Sequence, residues 1–239
     1  MKSEGDFTDH LEELRRKILS VLLFFLAAFV LLFSLSGHLV AFLQAPLEGL
    51  GLSLYYFKPY EKFLTYMRIA FWGGVILSLP LAILQASFFV YPALRKNEVR
   101  FFLFAIFAAP LLFAAGSAFA YRVIAPLAFR FFLSFSPGDN VLPFWGFGEY
   151  TSFLFTLMVA AGLVFLLPLL LLILVGTGLV STRTLSRLRP WVIMAIALAA
   201  ALLTPPDVVS QILLGVPLYL LFEGSLLVGK LLEKKRFPS

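Results

Sequence analysis

The sequence predicts an all-α membrane protein with six transmembrane helices in a curved, concave bundle. We expect both termini on the inner side, an outer cap and two short C-terminal spans. Of the 239 residues, 61% are hydrophobic and only 13% are charged, against about 25% charged in a typical soluble domain. The apolar residues form long uninterrupted blocks, and none alternates as the strands of a membrane barrel do. We therefore expect a single integral membrane domain over residues 1–239.

The apolar blocks predict the six spans in order. The first follows an acidic segment, so we expect an uncleaved span, although Ser34-Leu35-Ser36 resembles a signal cleavage site. The predicted spans cover residues 18–36, 69–91, 101–121, 152–175, 190–203 and 208–228. The fifth would be only about 21 Å long, against a hydrocarbon layer of roughly 30 Å, and Glu223 interrupts the sixth. This pair is expected to thin the bilayer or leave a wet hollow.

The distribution of basic residues predicts the orientation. Fourteen of the 19 Lys and Arg residues lie at the two termini and in alternate connections, and the other five lie on the opposite side. Because inner loops collect Lys and Arg, both termini are predicted to be cytoplasmic, which an even number of spans satisfies.

The two predicted outer connections, residues 37–68 and 122–150, are rich in Pro, Gly and aromatic residues. They predict short interfacial helices and a cap, with aromatic rings anchored among lipid headgroups. Within the spans, Pro80, Pro110, Pro168 and Pro217 favour kinks and hence the curved bundle. Gly116 and Ala120 have the spacing that permits close helix approach.

Several kinds of chemistry are excluded by composition. There is no cysteine and there are only two histidines, far apart in sequence, so we expect no metal and no cofactor. Phosphate-binding loops and metalloprotease motifs are absent, and a protease would need a histidine inside a span. The basic residues flank apolar blocks and form no basic face, so no nucleic acid is expected. The chain is not predicted to be an enzyme.

A small secondary transporter or channel remains the alternative function. Spans one to four contain Gln85 as the main large polar side chain and no ionisable group at mid-depth. An ion relay across the bundle therefore lacks intermediate sites. The sequence also shows no internal repeat and no pair of broken helices facing a midplane site.

Acidic residues lie at the cytoplasmic mouth of the first span, in the segment DHLEELRRK, residues 9–17. Asp9 can be an N-cap with Glu12 as its capping-box partner, and Glu13 can pair with Lys17 one helical turn later. A second acid, Glu98, precedes the third span and can pair with neighbouring arginines. If the first three spans are neighbours, Glu13 and Glu98 define one anionic patch. Its best ligand is arginine, whose planar guanidinium binds a carboxylate through two parallel bonds.

Four motifs in register with these spans resemble the TatC family, the polytopic subunit of the twin-arginine protein translocase. They are His10-Leu11-x-Glu13-Leu14-Arg15, Pro59-x-Glu61-x-Phe63, Phe89-x-x-Pro92-Ala93-Leu94-x-x-x-Glu98 and Pro206-Asp207-x-x-x-Gln211. The resemblance implies a receptor for signal peptides with consecutive arginines, which exports folded proteins using the proton-motive force. It also implies small single-span partners of the TatA and TatB type. We expect a homo-oligomer in a larger complex, in a bacterial or archaeal plasma membrane.

The resemblance also implies residue roles, in three groups. They are Glu13, Glu98 and Arg15 at the signal-peptide site, Pro59, Glu61 and Phe63 in the outer cap, and Asp207 and Gln211 at the contact with partner subunits. Simpler roles remain open for the last pair, an N-cap for Asp207 and an interhelical hydrogen bond for Gln211.

The chain departs from the family pattern at two positions. The family often has an acidic residue in span four where this chain has Leu166, and an aromatic residue where it has Arg95. Without that acid, partner docking must depend on other polar groups, such as Gln211, Thr156 or Asp207. The extra charge of Arg95 can weaken the site or orient Glu98.

Overall fold

The chain folds almost entirely into helices, seen in a computed structural model that describes residues 2–90, 96–134, 144–176, 178, 180–203 and 208–236. The helices are α1 Lys2–Gln44, α2 Glu61–Val90, α3 Lys96–Phe119, α4 Ala125–Ser134, α5 Phe147–Val164, α6 Leu167–Gly176, α7 Thr182–Arg187, α8 Arg189–Leu203 and α9 Val208–Arg236. A 3-10 turn, Ala45–Leu47, follows α1, and a π-turn, Ala120–Ile124, joins α3 to α4. Two short strands, β1 Leu54–Tyr55 and β2 Trp145–Gly146, pair in parallel.

Five helical stretches of the described chain are long and apolar enough to cross a membrane. They are Glu12–Leu47, Glu61–Ala86, Phe107–Ser134, Phe147–Gly176 and Leu214–Leu231. A shorter apolar stretch, Arg189–Leu202, corresponds to the predicted fifth span. The prediction of an all-helical membrane protein is therefore confirmed.

The first helix extends beyond both of its predicted ends. It begins at Lys2, so the prediction of Asp9 as an N-cap was wrong, because Asp9 lies inside α1. The helix continues past Ser36 to Gln44, where Pro46 in the following turn prevents a further helical hydrogen bond. Beyond it, Gly49 and Gly51 have positive φ angles of 79° and 65°, which reverse the chain on the outer side.

Two further boundaries differ from the prediction. The start of the second predicted outer connection is helical, because α3 continues through the π-turn into α4. There Pro126 removes a backbone donor, while Ala125, Ala128 and Phe129 are buried in the core. At the other end of the chain, α9 continues through Glu223 to Arg236. Glu223 interrupts the apolar run as the sequence shows, but the helix continues, and its carboxylate pairs with Arg189, which lies 2.8 Å away.

The core forms where α3 crosses α5. A Cβ atom at Gly116 would lie 2.7 Å from the Ala161 carbonyl oxygen and 2.9 Å from the Gly162 Cα, so the two backbones are in contact. Ser117 Oγ adds a hydrogen bond of 3.0 Å to the Met158 carbonyl. The close approach predicted at Gly116 is therefore confirmed. By contrast, α1 packs mainly against α2 and leaves most of its length exposed.

The prolines inside the spans have different effects. The helix α5 ends at Val164 and α6 begins at Leu167, with Pro168 as the second residue of α6. Because Pro168 has no N–H, it favours a break before it. The other three, Pro80, Pro110 and Pro217, lie within α2, α3 and α9, which continue through them.

Candidate functional site

The N-terminal part of α1 presents the first group of candidate residues. Glu13 is 44% exposed, and its Oε1 lies 2.6 Å from Lys17 Nζ one turn along the helix. The local ion pair that the sequence allowed is therefore formed. Because it lies at the surface, such a pair contributes only about 0.2–1 kcal/mol and can be displaced by a better ligand.

A cavity of about 590 Å³ lies along this face of α1. Glu12, Glu13, Arg15 and Arg16 line its charged part, and Leu19, Ser20 and Leu23 continue the lining toward the membrane. Their spacing of three and four residues places them on one face of the helix. The cavity can therefore receive a cationic segment followed by an apolar one.

The second predicted acid belongs to α3. Glu98 is the third residue of this helix, but its side chain lies outside the described residues, as does all of Arg95. The distance from Glu98 to Glu13 stays a prediction. The intervening helix α2 packs against both α1 and α3, which brings the three helices into one group.

In the outer cap, Glu61 connects α2 to the start of α5. Its Oε2 accepts hydrogen bonds from the backbone N–H groups of Phe57 at 2.7 Å and Lys58 at 3.2 Å, and its Oε1 accepts one from Gly148 at 3.4 Å. Two turns along α2, Arg68 Nη1 donates to the Gly148 carbonyl at 3.5 Å. The N–H of Gly148 is thus bound by the Glu61 carboxylate, and its carbonyl is bound by the Arg68 guanidinium.

The other two residues assigned to the cap lie on its edges. Pro59 is exposed in the turn before α2, where a fixed φ angle favours helix initiation. Phe63 is 57% exposed and makes an edge-to-face contact with Phe33 of α1, with ring centroids 6.1 Å apart. It lies on the α1–α2 surface beside the cap. Near Glu61, partial burial raises the pKa of Tyr56, and Tyr66 and the Glu61 carboxylate raise it further, so this phenol stays neutral.

Two tyrosines hold the outer end of α1. The Tyr121 hydroxyl donates to the Phe42 carbonyl, and the Tyr150 hydroxyl donates to the Leu43 carbonyl. Both acceptors lie in the last turn of α1, whose carbonyls have no partner within the helix. The strand pair adds a second connection, because Leu54 is in register with Trp145 across the same cap.

At the outer end of α9, Gln211 Nε2 donates to the Ala197 carbonyl of α8 at 3.0 Å. The interhelical bond that the sequence left open is thus present. Gln211 also lines a cavity of about 380 Å³ between α8 and α9, which is otherwise almost entirely apolar and reaches Tyr219 at its inner end. Asp207 lies outside the described residues.

Comparison with known proteins decides the family. The family model described as Sec-independent protein translocase protein (TatC) matches residues 9–217. The chain belongs to the TatC family. It is 34% identical over 240 residues to the TatC protein of Magnetococcus marinus, covering 99% of this chain and 88% of the relative. It is 33% identical to TatCy of Bacillus subtilis, covering 95% of this chain and 89% of the relative.

Solved structures agree with this membership. The crystal structure of the twin-arginine translocase receptor TatC in DDM superposes with a TM-score of 0.75 at 30% identity, covering 92% of this chain and 99% of that one. A second crystal structure of this receptor gives 0.74, covering 94% and 99%. The predicted resemblance is confirmed. As a TatC protein, the chain is a membrane component of protein transport and not an enzyme, and the transporter or channel alternative is set aside.

In this TatC protein, Leu166 occupies the position at which the family pattern often has an acid. It is half-buried and packs against the apolar cluster of Ala109 and Leu169, between α3 and α6. The surroundings are apolar, which fits the leucine and would destabilise an ionised carboxylate.

Sequence reasoning missed one polar cluster of this TatC protein. Arg189 Nη2 donates to Glu223 Oε2 at 2.8 Å, and the Tyr219 hydroxyl donates to Glu223 Oε1 at 2.9 Å. In the sequence, Arg189 indicates only the orientation of the chain in the membrane, and Glu223 only interrupts an apolar run. The sequence feature that could have revealed the cluster is Glu223 itself, because an acidic side chain inside an apolar membrane helix requires a partner.

A second missed contact connects the end of α9 to the start of α7. Glu233 accepts hydrogen bonds from Thr182, from its N–H at 2.8 Å and from its hydroxyl. These bonds hold the first residue of α7 against the last helix.

Proposed function

We propose that this TatC protein is the receptor for twin-arginine signal peptides and a core subunit of the twin-arginine translocase. Glu13 and Glu98 would bind the paired arginines, and Arg15 would shape the site. The observation that carries the proposal is the cavity along α1, where the exposed carboxylate of Glu13 opens onto apolar residues. A signal peptide has the same order of charge and apolar segment.

The chemistry of the site favours arginine over lysine. The guanidinium of a bound peptide must displace Lys17 from Glu13. It can do so because a guanidinium forms two parallel hydrogen bonds with a carboxylate, whereas the ammonium of Lys17 acts as a point charge. The packing of α2 against both α1 and α3 supports a common site, since it makes the three helices neighbours. Leu19 and Leu23 would then contact the apolar segment of the peptide.

The proposed topology has six spans in one membrane domain, with both termini in the cytoplasm of a bacterial cell. It is supported by the five long apolar stretches, by the shorter α8 and by the asymmetry of Lys and Arg. We propose that the bundle is concave and that the 15-residue α8 lies where the bilayer is thinned.

The proposed partners are folded cargo with twin-arginine signal peptides and small single-span subunits of the TatA and TatB type. The cavity with Gln211 at one end supports a helix contact near Gln211 and Asp207, because it is a long apolar surface with a polar group. We propose that several copies of the chain work in one complex and that the proton-motive force drives export.

Binding of a labelled twin-arginine peptide to the purified protein tests the site. Glu98→Gln should weaken binding about tenfold or more, and Glu12→Gln, the matched control, should weaken it less. A twin-lysine peptide should also bind more weakly than a twin-arginine peptide. Equal affinities of wild type and Glu98→Gln would contradict the assignment of Glu98. Equal affinities for the two peptides would contradict the bidentate contact.

A further inference from the structure

An aromatic cavity with one carboxylate lies in the outer cap, apart from the proposed peptide site. Its volume is about 430 Å³. We call it the aromatic cup, and its ring-bearing lining is Phe57, Phe129, Phe132, Phe144, Trp145 and Phe153, with Tyr150 behind Phe129. We infer that the aromatic cup binds the ammonium headgroup of a phospholipid, phosphatidylethanolamine.

The rings of the cup form a connected wall. Phe129 is its centre, with ring centroids 5.4 Å from Trp145 and 5.7 Å from Phe153. Phe132 continues the wall, 5.8 Å from Phe153. The planes of these pairs are inclined at 53–66°. Aromatic faces carry negative potential, and several faces around one space attract a cation.

Glu149 supplies the matching charge. Its carboxylate has no hydrogen bond or ion pair to any part of the chain that the structure describes. It folds back over Gly146, where a Cβ atom would lie only 1.9 Å from Glu149 Oε2 and 3.1 Å from the Phe57 ring. Because Gly146 has no side chain, the Glu149 carboxylate can occupy this space next to the Phe57 ring.

The position of the cup favours a lipid as the occupant. The cup lies where the apolar stretch Phe147–Gly176 begins, so it is at the depth of the headgroups if α5 spans the bilayer. Phe57, Phe132 and Phe144 are exposed, which leaves the cup open to that layer. An ammonium headgroup would meet the carboxylate and the ring faces, while the acyl chains stay in the bilayer.

Ordinary interfacial anchoring explains the rings but not the charge. Aromatic residues at a headgroup layer need no acid among them. The position of Glu149 in the first turn of α5 is favourable for the helix dipole, yet an acid in that turn does not need to line an aromatic cavity. Aromatic rings, open space and a carboxylate with no partner among the described residues together indicate a cation.

Lipid titration followed by native mass spectrometry of the full chain tests the inference. Phosphatidylethanolamine and phosphatidylglycerol with identical acyl chains are titrated separately, so that only the headgroup differs. Wild type should bind the first phosphatidylethanolamine about tenfold more tightly than phosphatidylglycerol, and Glu149→Gln should lose that preference. Glu48→Gln is the matched control, because Glu48 is an exposed acid on the same side that does not line the cup.

A second variant tests the rings without changing charge. Phe132→Leu should weaken binding of phosphatidylethanolamine several-fold, while Phe107→Leu, at an exposed ring outside the cup, should not. The inference is overturned if wild type shows no headgroup preference or if Glu149→Gln retains it. It is also overturned if a soluble lysine peptide protects Trp145 from quenching and phosphatidylethanolamine does not, since the occupant would then be a polypeptide.

Discussion

Arg189 and Glu223 form an ion pair between α8 and α9, with Nε 2.8 Å from Oε1 and side chains that are 40% and 25% exposed. The pair joins the first residue of α8 to the middle of α9. Tyr219 binds the same carboxylate from one turn away. These three residues connect the start of α8 to the middle of α9, and Gln211 connects the two helices closer to the start of α9.

We expect Arg189→Leu to destabilise the protein by about 1–3 kcal/mol, because it leaves the Glu223 carboxylate without its cation among apolar residues. Glu223→Gln should cost less, since an amide keeps hydrogen bonds to both partners. Thermal unfolding in detergent measures the difference. The double variant Arg189→Leu with Glu223→Gln should recover most of the loss, and a simple sum of the two single losses would contradict the coupling.

Gly116→Ala should destabilise the crossing of α3 and α5 by about 1–3 kcal/mol. The added methyl would meet backbone atoms of Ala161 and Gly162, which cannot move aside without separating the helices. Gly224→Ala is the control, because nothing lies within 4 Å of its Cβ position in α9. It should be neutral or stabilising by up to about 1 kcal/mol. A larger loss for Gly224→Ala would show that the contact is not the cause.

Tyr150→Phe should destabilise the outer cap by about 1–3 kcal/mol, because the buried Leu43 carbonyl loses its donor. The ring and its contact with Phe129 are retained. Tyr60→Phe, at an exposed tyrosine of the same side, is the control and should change stability little. Hydrogen exchange of the last turn of α1 measures the local effect, and unchanged exchange there in Tyr150→Phe would contradict it.

Lys17→Gln should strengthen binding of a twin-arginine peptide by up to about fivefold, because Glu13 no longer has to leave a surface ion pair. Titration of a labelled peptide at low ionic strength measures the change. Lys62→Gln, which removes an equal charge from the opposite side, should have no effect. Weaker binding by Lys17→Gln would mean that Lys17 orients Glu13 and does not compete for it.

The sequence predicted the helical membrane class well, since long apolar blocks leave few alternatives. It also predicted the Gly116 contact, the Glu13–Lys17 pair and the interhelical hydrogen bond of Gln211. It failed where the stabilising group is remote in sequence. The last turn of α1 accepts hydrogen bonds from Tyr121 and Tyr150, and Glu223 within α9 pairs with Arg189. Neither contact produces a recognisable pattern in the local sequence, because its two partners are far apart in the chain.

Some candidate sites could be predicted from the sequence and others could not. Roles for Glu13, Glu61 and Gln211 could be proposed because each of these residues belongs to a family motif. The aromatic cup could not, since its rings come from the segment before α2, from α4 and from the start of α5. The strand pair of Leu54 with Trp145 and the ring contacts of Phe129 bring these parts together.

The capping of α1 by two tyrosines has a consequence for biogenesis. Phe42 and Leu43 leave the ribosome more than seventy residues before Tyr121 and more than one hundred before Tyr150. Until α5 has been inserted, the outer turn of the first helix must be satisfied by water or by lipid. The N-terminal hairpin therefore reaches its final form only late in synthesis, and a ribosome-stalled intermediate that ends before Tyr150 should still have a frayed outer end on α1.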